Sequence, residues 1–136
     1  SLAPSPTTLK LFVSRVAAGF PSPADDYVES SLSLDDLLVQ HPSATYLVTA
    51  QGNSMVGAGI FSGDILIIDR AVTAVTGDIV IAAIDGELTC KYLNIEHKEL
   101  RPANPRYPAL KIKDEMDLVI EGVVTSSVRM HRTCTP

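Results

Sequence analysis

The sequence lacks the features that would tie it to a membrane. Its apolar runs all fall well short of the roughly 20 residues that a membrane-spanning helix needs. The first ten residues are polar and contain two prolines, unlike a secretory signal peptide. We therefore expect a cytoplasmic protein without a membrane anchor.

Cysteine and histidine are also scarce. The 136 residues include two cysteines, Cys90 and Cys134, and three scattered histidines, His41, His97 and His131. Their spacing matches neither a metal-binding motif nor a disulfide framework. We therefore expect no metal ion and no other cofactor.

The sequence also lacks an excess of positive charge. Residues 1–18 contain Lys10 and Arg15 and no acid, which leaves residues 19–136 with 9 basic and 16 acidic side chains and a formal charge of −7. Phosphate contacts are made mainly by Lys and Arg, so this balance argues against direct nucleic-acid binding. Any link to DNA should run through a partner protein.

The chain does have the composition of a folded domain rich in β-strands. It is 46% hydrophobic and 20% charged, with enough residues for one domain. Runs rich in Val and Ile, separated by Gly, Pro and Asp, predict strands at 45–49, 65–68, 79–84, 88–93, 109–112 and 118–128. Asp85-Gly86 predicts a tight hairpin.

The pattern before residue 44 is different. Residues 1–18 are predicted to be a flexible arm, and residues 19–43 a linker with one or two short helices. Helix-start signals occur at Ser22-Pro23 and at Ser33-Leu34-Asp35-Asp36. The predicted fold is therefore mainly β, with a compact β-rich domain over residues 44–136.

A short echo occurs in the strand region, where Gly63-Asp64-Ile65 and Gly77-Asp78-Ile79 lie 14 residues apart. A duplicated binding loop is one explanation. Two similar turns that each lead into a strand are the better one, because Gly and Asp are typical turn residues.

Ser54 lies in the segment Gly52-Asn53-Ser54-Met55, just after a predicted strand. A serine at such a place is ordinarily a loop or cap residue. It can also be a nucleophile, with the backbone N–H groups of Ser54 and Met55 facing a developing oxyanion. Both interpretations stay open at this point.

Lys91 lies on a predicted strand, where alternation puts it on the same face as Thr89 and Leu93. A solvent-facing lysine is the ordinary outcome. If that face is covered, desolvation lowers the lysine pKa, and a neutral amine can take a serine proton without His or Asp. The bond between Ala18 and Gly19, flanked by small side chains, is either a flexible hinge or a bond that fits a narrow site.

Several segments closely resemble the UmuD proteins of bacterial mutagenesis operons, which are LexA-like self-cleaving peptidases. They are residues 19–29, 40–46, 52–55, 77–83 and 85–91. The resemblance implies a LexA/UmuD-like fold in which Ser54 is the nucleophile, Lys91 the general base and Ala18–Gly19 the scissile bond. In the mechanism that we expect, backbone N–H groups near Ser54 and Met55 hold the oxyanion.

The resemblance further implies a role in the SOS response to DNA damage. Cleavage would be stimulated by the RecA filament on single-stranded DNA and would remove residues 1–18. The product would be a homodimer that serves as accessory subunit of an UmuC-like Y-family polymerase in translesion synthesis. Only 18 residues precede the expected bond, which favours an UmuD-type protein over a LexA-type repressor.

Two alternatives remain at this stage. One is a non-catalytic dimeric adaptor with a vestigial Ser-Lys site. The other is a processing peptidase that cuts other proteins, against which the absence of a predicted membrane anchor counts.

Overall fold

Two short strands and a short helix precede the main sheet. The computed structural model describes residues 7–12 and 28–132. Strands β1 (Thr8–Phe12) and β2 (Val28–Ser33) pair antiparallel, and helix α1 spans Leu34–Leu38. These elements belong to a unit that ends at Gln40, and the remaining described residues form a second unit.

The helix predicted after Ser33 is confirmed. Its first turn contains Asp35 and Asp36, which suits the positive end of the helix dipole. The other predicted helix start, Ser22-Pro23, lies outside the described residues. Within the described ranges, no helix is both long enough and apolar enough to cross a bilayer.

Strands β1 and β2 differ from the sequence analysis, which expects no strand before residue 44 and a flexible arm over residues 1–18. The two segments form a regular antiparallel ladder, with a bulge between Leu11 and Phe12. The backbone N–H and C=O groups of each segment are satisfied by the other segment. The sequence pattern of either segment alone does not reveal this pairing. The arm therefore contains a strand.

The second unit contains a seven-stranded sheet. Its strands are β3 (Thr45–Thr49), β4 (Ile65–Asp69), β5 (Ile79–Ile84), β6 (Glu87–Asn94), β7 (Glu99–Arg101), β8 (Leu110–Lys111) and β9 (Leu118–Val128). Their order across the sheet is β3-β4-β9-β5-β6-β7-β8, and every neighbouring pair is antiparallel. The predicted fold class, mainly β with few helices, is confirmed.

The predicted hairpin at Asp85-Gly86 is also confirmed. Both residues have positive φ angles, 49° and 86°, and they connect the paired residues Ile84 and Glu87. Positive φ at both central positions is the geometry of a type I′ turn, which matches the twist of the strands on either side.

The Gly-Asp echo proves to be two similar turns. Asp64 N–H donates to the Phe61 carbonyl, and Asp78 N–H to the Val75 carbonyl. Each aspartate carboxylate in turn accepts a hydrogen bond from the N–H three residues earlier, at 2.8 and 3.0 Å respectively. The turn interpretation explains the repeat without a duplicated binding loop.

The sheet buries apolar side chains on both of its faces. One cluster contains Met55, Ile60, Leu66, Ile68 and Ile81, and the other contains Val80, Ala82, Leu93, Leu100 and Val123. Successive residues of β5 alternate between the two clusters, as the pleat of a strand requires. The first cluster is the one that includes Met55, next to Ser54.

Replacing Leu66 by Ala is expected to destabilise this first cluster strongly. Leu66 is 1% exposed, and truncating a buried leucine lowers the free energy of unfolding by about 2–5 kcal/mol through lost contacts and a residual cavity. Urea denaturation followed by circular dichroism measures the change. Leu47→Ala is the matched control, because Leu47 on the neighbouring strand is 61% exposed; an equal loss in both variants would contradict the assignment of the core.

Candidate active site

Residues 50–64, which we call the Ser54 loop, connect β3 to β4. The side chain of Met55 anchors this loop in the core. Gly52 has a φ of 90°, which turns the chain at the end of β3. Met55 is 3% exposed and belongs to the first core cluster. The one-turn helix Val56–Ala58 follows at once. Burial of Met55 thus fixes the position of the residue beside it.

Lys91 reaches this loop from strand β6. Its Nζ atom lies 3.0 Å from Ser54 Oγ, although the two residues are 37 positions apart in the chain. Nζ also lies 2.9 Å from Thr89 Oγ1 and 3.1 Å from the Cys90 carbonyl oxygen. The structure therefore brings together the two side chains that the sequence analysis singles out.

Lys91 is partly buried, and burial lowers the pKa of its amine below the ordinary value. The sequence analysis leaves the covering of this strand face open. The Ser54 loop now provides part of that cover. A lowered pKa increases the fraction of neutral amine at a given pH, which is the form that can accept a proton.

The cleft beside the pair has a volume of about 310 Å³. Residues of β3, of the Ser54 loop and of β6 line it. Strand β3 is the last strand on one side of the sheet, and β7 pairs with β6 only from Tyr92 onward. Among the described residues, the strand edges at β3 and at residues 87–91 of β6 are therefore free to pair with an extended peptide.

Thr89 is a site residue that the sequence analysis did not single out. Its hydroxyl accepts a hydrogen bond from Lys91 Nζ and so limits the directions in which the amine can point. The available signal was the alternation of β6, which places Thr89 two residues before Lys91 on the same face.

Cys90, between these two residues, is not an alternative nucleophile. Burial raises the pKa of its thiol to about 11, although the charge of Lys91 acts in the opposite direction. A thiol with such a pKa stays protonated near neutral pH and is a poor nucleophile.

The two backbone N–H groups predicted to face an oxyanion lie at the same loop. In the part of the chain that the structure describes, neither the Ser54 N–H nor the Met55 N–H donates to a protein acceptor. They are therefore available to a bound group. The predicted scissile bond, Ala18–Gly19, lies outside the described residues.

Arg129 binds the C-terminal half of the Ser54 loop. Its guanidinium makes two hydrogen bonds to the Asp64 carboxylate, at 2.8 and 2.7 Å, and one to the Gly59 carbonyl oxygen at 2.7 Å. It also lies 4.1 Å from the centre of the Phe61 ring, within cation–π range. The hydrogen bonds from Arg129 lower the pKa of Asp64 to about 2, so the pair stays charged over the physiological range.

The fold is mainly β, and a serine hydroxyl lies beside a partly buried lysine, a pair of groups that a serine peptidase can use as nucleophile and base. The chain belongs to the Peptidase S24-like family, whose profile matches residues 10–125. The predicted resemblance to UmuD proteins and their LexA-like relatives is confirmed at the level of the family.

Individual relatives are similar over most of the chain. Protein SamA of Salmonella typhimurium (strain LT2) is 44% identical over 96% of this chain and 91% of its own length. Protein MucA of Escherichia coli is 40% identical over 93% of this chain and 88% of its own length. The LexA repressor of Stenotrophomonas maltophilia is 38% identical over 87% of this chain, which covers 56% of the repressor.

Proposed function

We propose that this protein cuts its own chain between Ala18 and Gly19, with Ser54 as nucleophile and Lys91 as general base. The observation that carries the proposal is the 3.0 Å separation of Lys91 Nζ and Ser54 Oγ. That distance lies within the range in which a base can take the proton of a nucleophile. Membership of a peptidase family supports the same chemistry.

The first half of the reaction forms an acyl-enzyme. Neutral Lys91 takes the hydroxyl proton as Ser54 Oγ attacks the carbonyl carbon of Ala18. The N–H groups of Ser54 and Met55 stabilise the oxyanion of the tetrahedral intermediate. Lys91 then gives the proton to the nitrogen of Gly19, the peptide bond breaks, and Ala18 remains joined to Ser54 as an ester.

The second half restores the enzyme. Lys91, again neutral, takes a proton from water, and the resulting hydroxide attacks the ester. The bond between Ser54 and Ala18 breaks, and the proton returns to Ser54 Oγ. The products are the peptide ending in Ala18 and a chain that begins with Gly19.

An extended substrate segment fits this cleft for two reasons. The free edges of β3 and β6 offer main-chain hydrogen bonds along its length. The small side chains of Ala18 and Gly19 need little space at the reacting bond. Extended pairing would present the scissile carbonyl to Ser54 without a large side-chain pocket.

The biological part of the proposal follows from the UmuD-like family. The cut chain would act in the cytoplasm as a homodimeric accessory subunit of a Y-family translesion polymerase during SOS mutagenesis. The RecA filament would stimulate the cut. The formal charge of −7 over residues 19–136 is consistent with contact to DNA through these partners.

The test is incubation of the purified full-length protein over a range of alkaline pH values, followed by intact-mass measurement. We expect a fragment that begins at Gly19, formed faster as the pH rises, because a lysine amine becomes neutral at high pH. No fragment at any pH would contradict the proposal and favour the adaptor. Cleavage only of an added peptide, and not of the chain itself, would indicate a peptidase that acts on other proteins.

A further inference from the structure

A segment far along the chain holds the backbone of the Ser54 loop. Ala103 N–H donates to the Ser54 carbonyl oxygen at 2.8 Å. Asn104 Nδ2 donates to the Asn53 carbonyl oxygen at 2.9 Å, across 51 residues of sequence. Ala103 and Asn104, which we call the strap, thus contact two successive carbonyl groups at the nucleophile.

The orientation of the Asn104 amide is fixed by its second hydrogen bond. Its Oδ1 atom accepts from the backbone N–H of Arg106 at 3.0 Å. Because Oδ1 faces that donor, Nδ2 must be the atom that faces Asn53. The side chain therefore joins the turn that contains it to the Ser54 loop.

The close approach of the strap to the Ser54 loop requires glycine at position 57. Gly57 N–H donates to the Ala103 carbonyl oxygen at 2.7 Å. A Cβ atom at Gly57 would lie 2.5 Å from that same oxygen, closer than a real contact allows. Only glycine permits this approach of the two backbones.

Planar peptide geometry connects these contacts to the site. All described peptide bonds are trans, so the C=O of each unit and the N–H of the next residue point in opposite directions. When the strap holds the carbonyls of Asn53 and Ser54, the N–H groups of Ser54 and Met55 must point away from it. Ser54 and Met55 line the cleft, whereas Ala103 and Asn104 do not.

We propose that the strap is the positioning element of the oxyanion site, with the Asn104 side chain aiming the Ser54 N–H and the Ala103 backbone aiming the Met55 N–H. The inference rests on the proposed function and extends it to residues that touch neither the nucleophile side chain nor the base. Asn104 acts through the backbone of the loop, so it is a positioning residue.

The test compares Asn104→Ala with Asn94→Ala. Asn94 is the matched control, because it is also half-buried and its Oδ1 also accepts a hydrogen bond from a nearby backbone N–H, that of His97 at 2.9 Å. Both variants lose such an acceptor, and only Asn104→Ala loses a donor to the Ser54 loop. The self-cleavage rate of each full-length protein is measured against pH.

We expect the plateau rate of Asn104→Ala to fall by about 10- to 100-fold, since small displacements of catalytic groups have effects of that size. The pH midpoint should stay in place, because Lys91 and its hydrogen bonds are untouched. In ¹H–¹⁵N spectra, the amide signals of Ser54 and Met55 should move in Asn104→Ala and stay in Asn94→Ala. If Asn104→Ala does not fold, Asn104→Asp replaces it, since it keeps the acceptor for Arg106 and lacks the donor.

Two results would overturn the inference while leaving the proposed function intact: an unchanged plateau rate in Asn104→Ala, whether or not the midpoint moves, or an equal fall of the plateau rate in Asn94→Ala. Absence of any cleavage by the wild-type protein would instead overturn the proposed function. Gly57→Ala gives an independent check, because it displaces Ala103 and should lower the plateau rate without moving the midpoint.

Discussion

Replacement of Ser54 by Ala is expected to reduce self-cleavage by about 10⁴-fold or more, since a removed nucleophile leaves only the residual contributions of binding and oxyanion stabilisation. The substitution deletes one oxygen atom next to Met55, which anchors the loop in the core. The fold should therefore be retained. Intact-mass measurement after alkaline incubation gives the rate, and thermal melting tests the fold.

Ser62→Ala is the control for this result. Ser62 lies, like Ser54, between β3 and β4. It is exposed and has no hydrogen-bond partner among the described residues. It should cleave at the wild-type rate. A Ser54→Ala protein that still produced the fragment beginning at Gly19 would show that another group performs the attack.

Replacement of Lys91 by Met is expected to have an equally large effect on the rate, because no other basic side chain lies within hydrogen-bond distance of Ser54 Oγ among the described residues. Methionine has a similar length and is apolar, so it suits the partly buried position. The small rate that remains should also lack the rise with pH that we expect titration of Lys91 to give in the wild-type protein. Lys113→Met, at an exposed position, should leave both the rate and its pH dependence unchanged.

The same variant has a predictable effect on stability. Burial lowers the pKa of Lys91 in the folded protein, so between the folded and unfolded pKa values the unfolded chain binds more protons, and the stability of the wild type rises with pH. Below the folded pKa, Lys91 is charged in both the folded and the unfolded protein, and burial of its charge lowers the free energy of unfolding by a constant amount. The melting temperature of Lys91→Met relative to wild type should therefore be highest below the folded pKa and fall as the pH rises toward ~10, the ordinary pKa of lysine. A difference that stayed constant with pH would contradict the lowered pKa.

The strands that could be predicted are those with a run of Val and Ile between turn residues. The predicted ranges 45–49, 79–84 and 118–128 coincide with β3, β5 and β9. Strand β7 was missed because only Leu100 of its three residues is apolar, and a single apolar residue is not a run. Leu100 is nevertheless fully buried, which only its neighbours in space determine.

The site was predictable to the extent that it depends on residue type and on family motifs. Ser54 and Lys91 could be singled out from their contexts, and the structure brings them together. The partial burial of Lys91 could not be predicted, because the loop that covers it comes from a distant part of the sequence. The contact of Asn104 with Asn53 is of the same kind, since 51 residues separate the partners and no local pattern records their meeting.

The place of β9 in the sheet has a consequence for the timing of activity in the cell. Ser54 follows β3, which pairs with β4, and Lys91 lies on β6, which pairs with β5; within the described sheet these two pairs are joined only through β9. Strand β9 is the last of the described strands to leave the ribosome, and Arg129, which fastens the Ser54 loop, follows directly after it. A nascent chain therefore contains Ser54 and Lys91 before it contains the strand that joins their two strand pairs. The newly made protein should therefore be protected from the proposed self-cleavage until β9 has been synthesised and has paired with β4 and β5.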